Sequence, residues 1–174
     1  MNGTDSLFSS IDLRSFSNLW FWLMLAVAWS NVTHYVMGVP FDMVQRARRK
    51  GGEALADLEL LAGIQARRRM QIFGAAGVWL VGGWMLVLSA LATLGFAQGY
   101  ELAQAFTLLL APLTLAGWLG LHLAARVERG QLAGAALVRS LIRYRWVLQA
   151  IGLVAIFLTT LWGTWHTLSM RSLG

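Results

Sequence analysis

Four long apolar stretches alternate with two arginine-rich segments, a pattern that suits a bundle crossing a bilayer far better than a soluble fold. The stretches cover residues 17–39, 71–94, 102–125 and 146–170, and none contains Asp, Glu, Lys or Arg. At 1.5 Å per residue each exceeds about 30 Å, the thickness of a hydrocarbon core. Twelve of the 14 Lys and Arg residues fall in two segments, 42–70 and 126–145. With 57% hydrophobic residues and a mean hydropathy of +0.60, the chain lacks the polar surface a soluble domain of 174 residues needs. The expectation is an all-α integral membrane protein, one domain of four transmembrane helices, with helical basic loops at 40–70 and 126–145.

The charges also orient the chain. The two basic segments hold twelve basic and five acidic residues, a net of +7; the remainder holds two basic and three acidic, a net of −1, consistent with the total of +6. Short cytoplasmic loops collect Lys and Arg. Both loops are therefore expected inside and both termini outside. Arginine supplies all the basic residues but Lys50, which together with the Ala, Leu and Gly content suggests a bacterial gene of high GC content. The expected location is a bacterial inner membrane, and the N-terminal residues carry no cleavable signal pattern.

Local signals refine the segments. Pro40 ends the first run, with Trp20 and Trp22 at its outer end and Tyr35 at its inner end, as in an interfacial aromatic belt. Gly51-Gly52 marks a hinge between two short helices in the first basic loop. The second of these begins with Glu53, Asp57 and Glu59 and ends with Arg67, Arg68 and Arg69, a polarity that complements the helix dipole. It places Leu55, Leu58, Leu61 and Ala62 on one face, and it either lies on the membrane or extends the second span. Residues 95–101 form a tight hairpin between the second and third spans. Pro112 predicts a kink near Leu108, with Thr107 or Thr114 satisfying the freed carbonyl. In the second basic loop Leu132, Ala135, Val138, Leu141 and Ile142 recur at helical spacing, and Arg139 and Arg143 share another face. The last run carries Tyr144 and Trp146 at one end and Trp162 and Trp165 at the other.

Candidate sites are few. His34 and His122 both fall near the cytoplasmic end of a span, the depth a bis-histidine b-type haem requires; interfacial histidines or helix-to-helix hydrogen bonds are the simpler explanation, since matching depth recurs by accident and nothing else specifies a haem pocket. Asn31 and His34 lie three residues apart and predict a polar face turned toward protein, either interhelical glue or a small-molecule, quinone or proton site. His166 has no histidine partner at its depth. No metal site is expected, because carboxylates are absent from the spans. Small residues (Gly74 to Gly77, Gly82-Gly83, Gly117 and Gly120) predict close helix packing, within the bundle or against another membrane protein. The basic clusters Arg46, Arg48, Arg49 and Lys50, then Arg67, Arg68 and Arg69, with Arg139 and Arg143, suit anionic headgroups or an acidic cytoplasmic partner. Aromatic residues are not interleaved with them, so nucleic acid is not an expected partner.

Hydrolase, kinase and nucleotide-binding signatures are absent, and with no Cys there is neither thiolate catalysis nor a thiolate metal site. The leading expectation is a non-catalytic accessory, scaffold or assembly subunit of a membrane-associated complex. A b-type haem or redox-chain component using His34 and His122 is the alternative. A small-solute transporter around Asn31, His34 and the Pro112 kink is a third reading, weakened by the absence of charged residues inside the membrane.

The segments DLRSFSNLWFW (12–22) and HYVMGVPFDMVQRARR (34–49) resemble those of a small alphaproteobacterial inner-membrane family labelled "component of SufBCD complex". The resemblance implies association with cytosolic iron–sulfur assembly machinery and a docking role for residues 41–70. It transfers no catalytic residues, and without Cys this chain cannot hold a cluster through thiolates.

Overall fold

A computed structural model describes residues 19–172. The described residues are almost entirely helical, and among them three helices are long and apolar enough to cross a membrane. In order they are α1 (Leu19–His34), a two-residue ladder of β1 (Tyr35–Val36) and β2 (Val39–Pro40), α2 (Phe41–Lys50), α3 (Gly52–Ala92), α4 (Glu101–Glu128) and α5 (Gly134–Ser172). The three membrane candidates are α3 with its π-helical extension Thr93–Ala97, then α4, then α5. The start of the first apolar run, the polar N-terminal segment and the side chain of His166 lie outside the described residues.

The first apolar run does not continue as helix to Val39. Helix α1 stops at His34, and the chain turns back through Met37 (φ 59°) and Gly38 (φ 81°), pairing Val36 with Val39 and Tyr35 with Pro40. Two consecutive positive φ angles make the primed turn that suits a two-residue hairpin. Hydropathy does not separate these residues from a span because they are apolar for another reason: Val36, Met37 and Val39 are buried in protein. The side chain of Gln65 lies against Gly38, 3.2 Å from where a β-carbon would stand, so bulk as well as φ favours glycine there.

The Gly51-Gly52 hinge is present, with φ of 59° and 49°. Beyond it the second basic helix and the second span are one continuous helix of 41 residues, about 60 Å long. The second basic loop behaves the same way: Gly134 opens a helix that runs unbroken through the last span. Leu132 precedes that helix, and Ala135 is exposed; the buried stripe is Leu137, Val138 and Leu141. Helix α4 passes through Pro112, but Thr107 donates to the Ala103 carbonyl and Thr114 to that of Leu110. Neither of these bonds goes to Leu108, whose carbonyl loses the Pro112 donor.

These elements form two differently packed layers. One is a helical cap whose core gathers Val36, Met37 and Val39 from the hairpin, Val44 and Ala47 from α2, Leu58, Ala62 and Ala66 from α3, Leu123 and Ala124 from α4, and Leu137, Val138 and Leu141 from α5. The i, i+4, i+8 spacing of Leu58, Ala62 and Ala66 gives α3 a narrow, small-residue face that lets neighbours approach closely. The carboxylate of Glu59 in α3 accepts the backbone N–H of Gly134 at the start of α5. A negative charge there complements the helix dipole and ties the two long helices together. The other layer is the span bundle, where α1 packs through Leu25 and Trp29 on Leu109 of α4 and Ala155 of α5. Only 6% of the apolar window of α3 is buried, against 28% in α4 and in α5, so α3 lies at the margin of the bundle.

Candidate functional site

At the junction of cap and spans, α2 and α5 enclose a cleft of about 640 Å³. Helix α5 contributes Ile142, Arg145, Trp146 and Gln149, a single stripe at i, i+3, i+4 and i+7. Helix α2 faces it with Phe41, Gln45, Arg48 and Arg49, again along one face. The Arg145 guanidinium lies over the Phe41 ring, 3.6 Å from its centroid, a cation–π contact that holds the charge in place without neutralising it. Arg49 Nη2 donates to Gln45 Oε1 at 2.9 Å, which fixes a second guanidinium through a neutral acceptor. The lining therefore carries three guanidinium groups and no carboxylate. No acidic side chain within the lining offsets that charge, which makes the cleft attractive to an anion.

The expected basic residues separate into three groups. Arg48 and Arg49 line the cleft, whereas Arg46, Lys50, Arg67, Arg68, Arg139 and Arg143 project from the cap into solvent. Arg69 instead turns inward. Its Nη1 lies 3.4 Å from the position of a β-carbon on Gly120, beside the Tyr144 hydroxyl. Tyr144, expected at one end of the last run, donates to the Ala116 carbonyl at 2.9 Å and packs against the cap core. Arg145 and Gln149 escaped the sequence reading because they fall where the second basic loop passes into the last span. Their signal is the α5 stripe itself, visible only once Phe41 is known to lie opposite.

The histidines are not brought into a shared internal site. His34 and His122 are both exposed. The ring of His34 meets Tyr35 edge-on at 4.9 Å. That of His122 lies tilted against Trp118 on its own helix, with centroids 4.3 Å apart and Nδ1 3.3 Å from the Trp118 carbonyl. Asn31 is likewise exposed and donates to Val27 O of its own helix at 3.3 Å. The face expected to point at protein thus turns away from the rest of this chain. Among the described residues no three of His, Asp and Glu converge in a way that could hold a metal ion.

Interhelical polar contacts are instead centred on Gln104 and Trp84, which the sequence did not single out, with Trp162 and Thr114 as their partners. Gln104 is 4% exposed; its amide donates to Gly95 O and its carbonyl accepts from Trp162 Nε1, each at 2.9 Å. Phe96 meets the Trp162 ring edge-on at 5.2 Å and covers this clasp. Trp84 Nε1 donates to Thr114 Oγ1 at 2.7 Å, joining α3 to α4. A glutamine inside an apolar run was the available signal. Gly120, among the expected small faces, accepts neighbouring groups at close range, as does Gly95 at the hairpin, whereas Gly74, Gly82, Gly83 and Gly117 meet open space.

Compared with known proteins, the chain matches no family model, no curated sequence and no solved structure.

Proposed function

We propose that this chain is a non-catalytic accessory or assembly subunit that anchors a complex to the cytoplasmic face of a bacterial inner membrane. In this reading the run occupied by α1 is a fourth span, both termini are periplasmic, and the cap faces the cytoplasm. The observation that carries it is the cap. A chain needing only to stay in the bilayer has no use for a separately cored layer of four helices and a hairpin, whose outer surface is studded with Arg46, Lys50, Arg67, Arg68, Arg139 and Arg143. Such a surface matches an acidic protein partner, because complementary potentials accelerate encounter and fix orientation. The resemblance of segments 12–22 and 34–49 to the "component of SufBCD complex" family points to iron–sulfur assembly machinery as the class of partner. With no Cys of its own, the chain serves there as an anchor.

Purification in mild detergent followed by mass spectrometry tests the proposal. A reproducible cytosolic partner is expected, recovered at least about tenfold less well with Arg67→Glu/Arg68→Glu, since reversing two charges at a complementary interface costs more than 1.4 kcal/mol. Recovery of the protein alone, or a partner indifferent to the reversal, overturns it.

A further inference from the structure

The cleft between α2 and α5 has the chemistry of an anion site, and its position selects the kind of anion. We propose that it binds the phosphate-bearing headgroup of an anionic phospholipid. Arg48, Arg49 and Arg145 supply the charge, and Gln45 and Gln149 add neutral hydrogen-bonding groups, with no carboxylate in the lining. Guanidinium groups match phosphate oxygens in planar, two-pronged geometry. The Phe41 contact and the Gln45 bond hold Arg145 and Arg49 in position before any ligand arrives, which lowers the ordering cost of binding. A volume of about 640 Å³ is that of a small-molecule site and accommodates a headgroup with its glycerol.

Depth favours a lipid over a soluble anion. Gln149 is the last polar lining residue on α5, and residues 150–165 beyond it carry no charge, a run of about 24 Å. The cleft therefore lies at the border of the apolar layer, at headgroup level. Its α5 wall is completed by Ile142 and by Trp146, which is 68% exposed. Tryptophan prefers the membrane–water boundary, and here it offers an apolar rim to the glycerol and the first acyl carbons. A free phosphate has nothing to place against that rim. Basic pockets between helices at the cytoplasmic edge are the general form of lipid-headgroup recognition.

Native mass spectrometry of the detergent-purified chain provides the test, with phosphatidylglycerol, phosphatidylcholine and inorganic phosphate as separate additions. Wild type is expected to retain phosphatidylglycerol at least about tenfold better than phosphatidylcholine, because three arginines favour the anionic headgroup. Arg48→Gln/Arg145→Gln is expected to lose that preference. Arg126→Gln/Arg129→Gln removes the same charge from outside the cleft and should keep it. Equal retention of the two lipids by wild type overturns the proposal without any variant having to fold. Equal loss in both variant pairs overturns it too, by reducing the effect to overall charge. Displacement of phosphatidylglycerol by millimolar inorganic phosphate would make this a soluble-anion site instead. Lipid retention is read on the isolated protein, so its failure is distinct from failure to recover a partner.

Discussion

Single residues decide where helices meet. At Gly152 in α5 a β-carbon would stand 2.9 Å from the Trp29 ring, so α1 reaches α5 only because that position has no side chain. Gly152→Ala should destabilise the detergent-solubilised protein by about 1–3 kcal/mol, the usual penalty for overpacking. The same change at Gly82, which meets open space, should be neutral or slightly stabilising. Apparent melting temperatures of the two variants check both expectations, and equal shifts would contradict the α1–α5 contact. The sequence presents these glycines alike. What separates them is a tryptophan more than a hundred positions away, and periodicity carries no information about that. Gln104 and Asn31 make the same point. Both are amides in apolar runs, yet Gln104 joins Gly95 to Trp162 while Asn31 bonds to its own helix.

At the scale of elements, the helices were legible and their ends were not. Charge-free length identified the apolar cores of α3, α4 and α5, and paired glycines located the break between α2 and α3. The end of α1 was hidden because burial in the cap and burial in lipid select the same residues, Val36, Met37 and Val39. The continuity of α3 was similarly open, since an arginine-rich helix at a membrane edge reads equally well as a separate surface helix. Its join to α5 runs through Glu59, whose carboxylate receives the Gly134 N–H. Glu59→Ala is expected to cost about 1–2 kcal/mol and Glu59→Gln less, because glutamine keeps an acceptor but loses the charge that opposes the helix dipole. Melting temperatures that do not fall in the order wild type, Gln, Ala would argue against this cap.

For the whole molecule, the test concerns sidedness, and the absence of native Cys makes it direct. Gln98 and Ala133 are both exposed, one in the α3–α4 connection and one just before α5. With both termini outside, a membrane-impermeant thiol reagent should label Gln98→Cys in intact spheroplasts and Ala133→Cys only after permeabilisation. The reverse pattern would invert the topology and carry the cap, the cleft and any partner to the other face. One mechanical consequence of the architecture holds in either orientation. Because α3 and α5 pass from cap into bilayer with no break in the helix, there is no joint at which the two layers can flex independently. A force applied to the cap is delivered along a rod of about 60 Å to the far side of the membrane. There the Gln104 clasp holds the ends of α3 and α5 to α4, so tilt at one surface must reappear as tilt at the other.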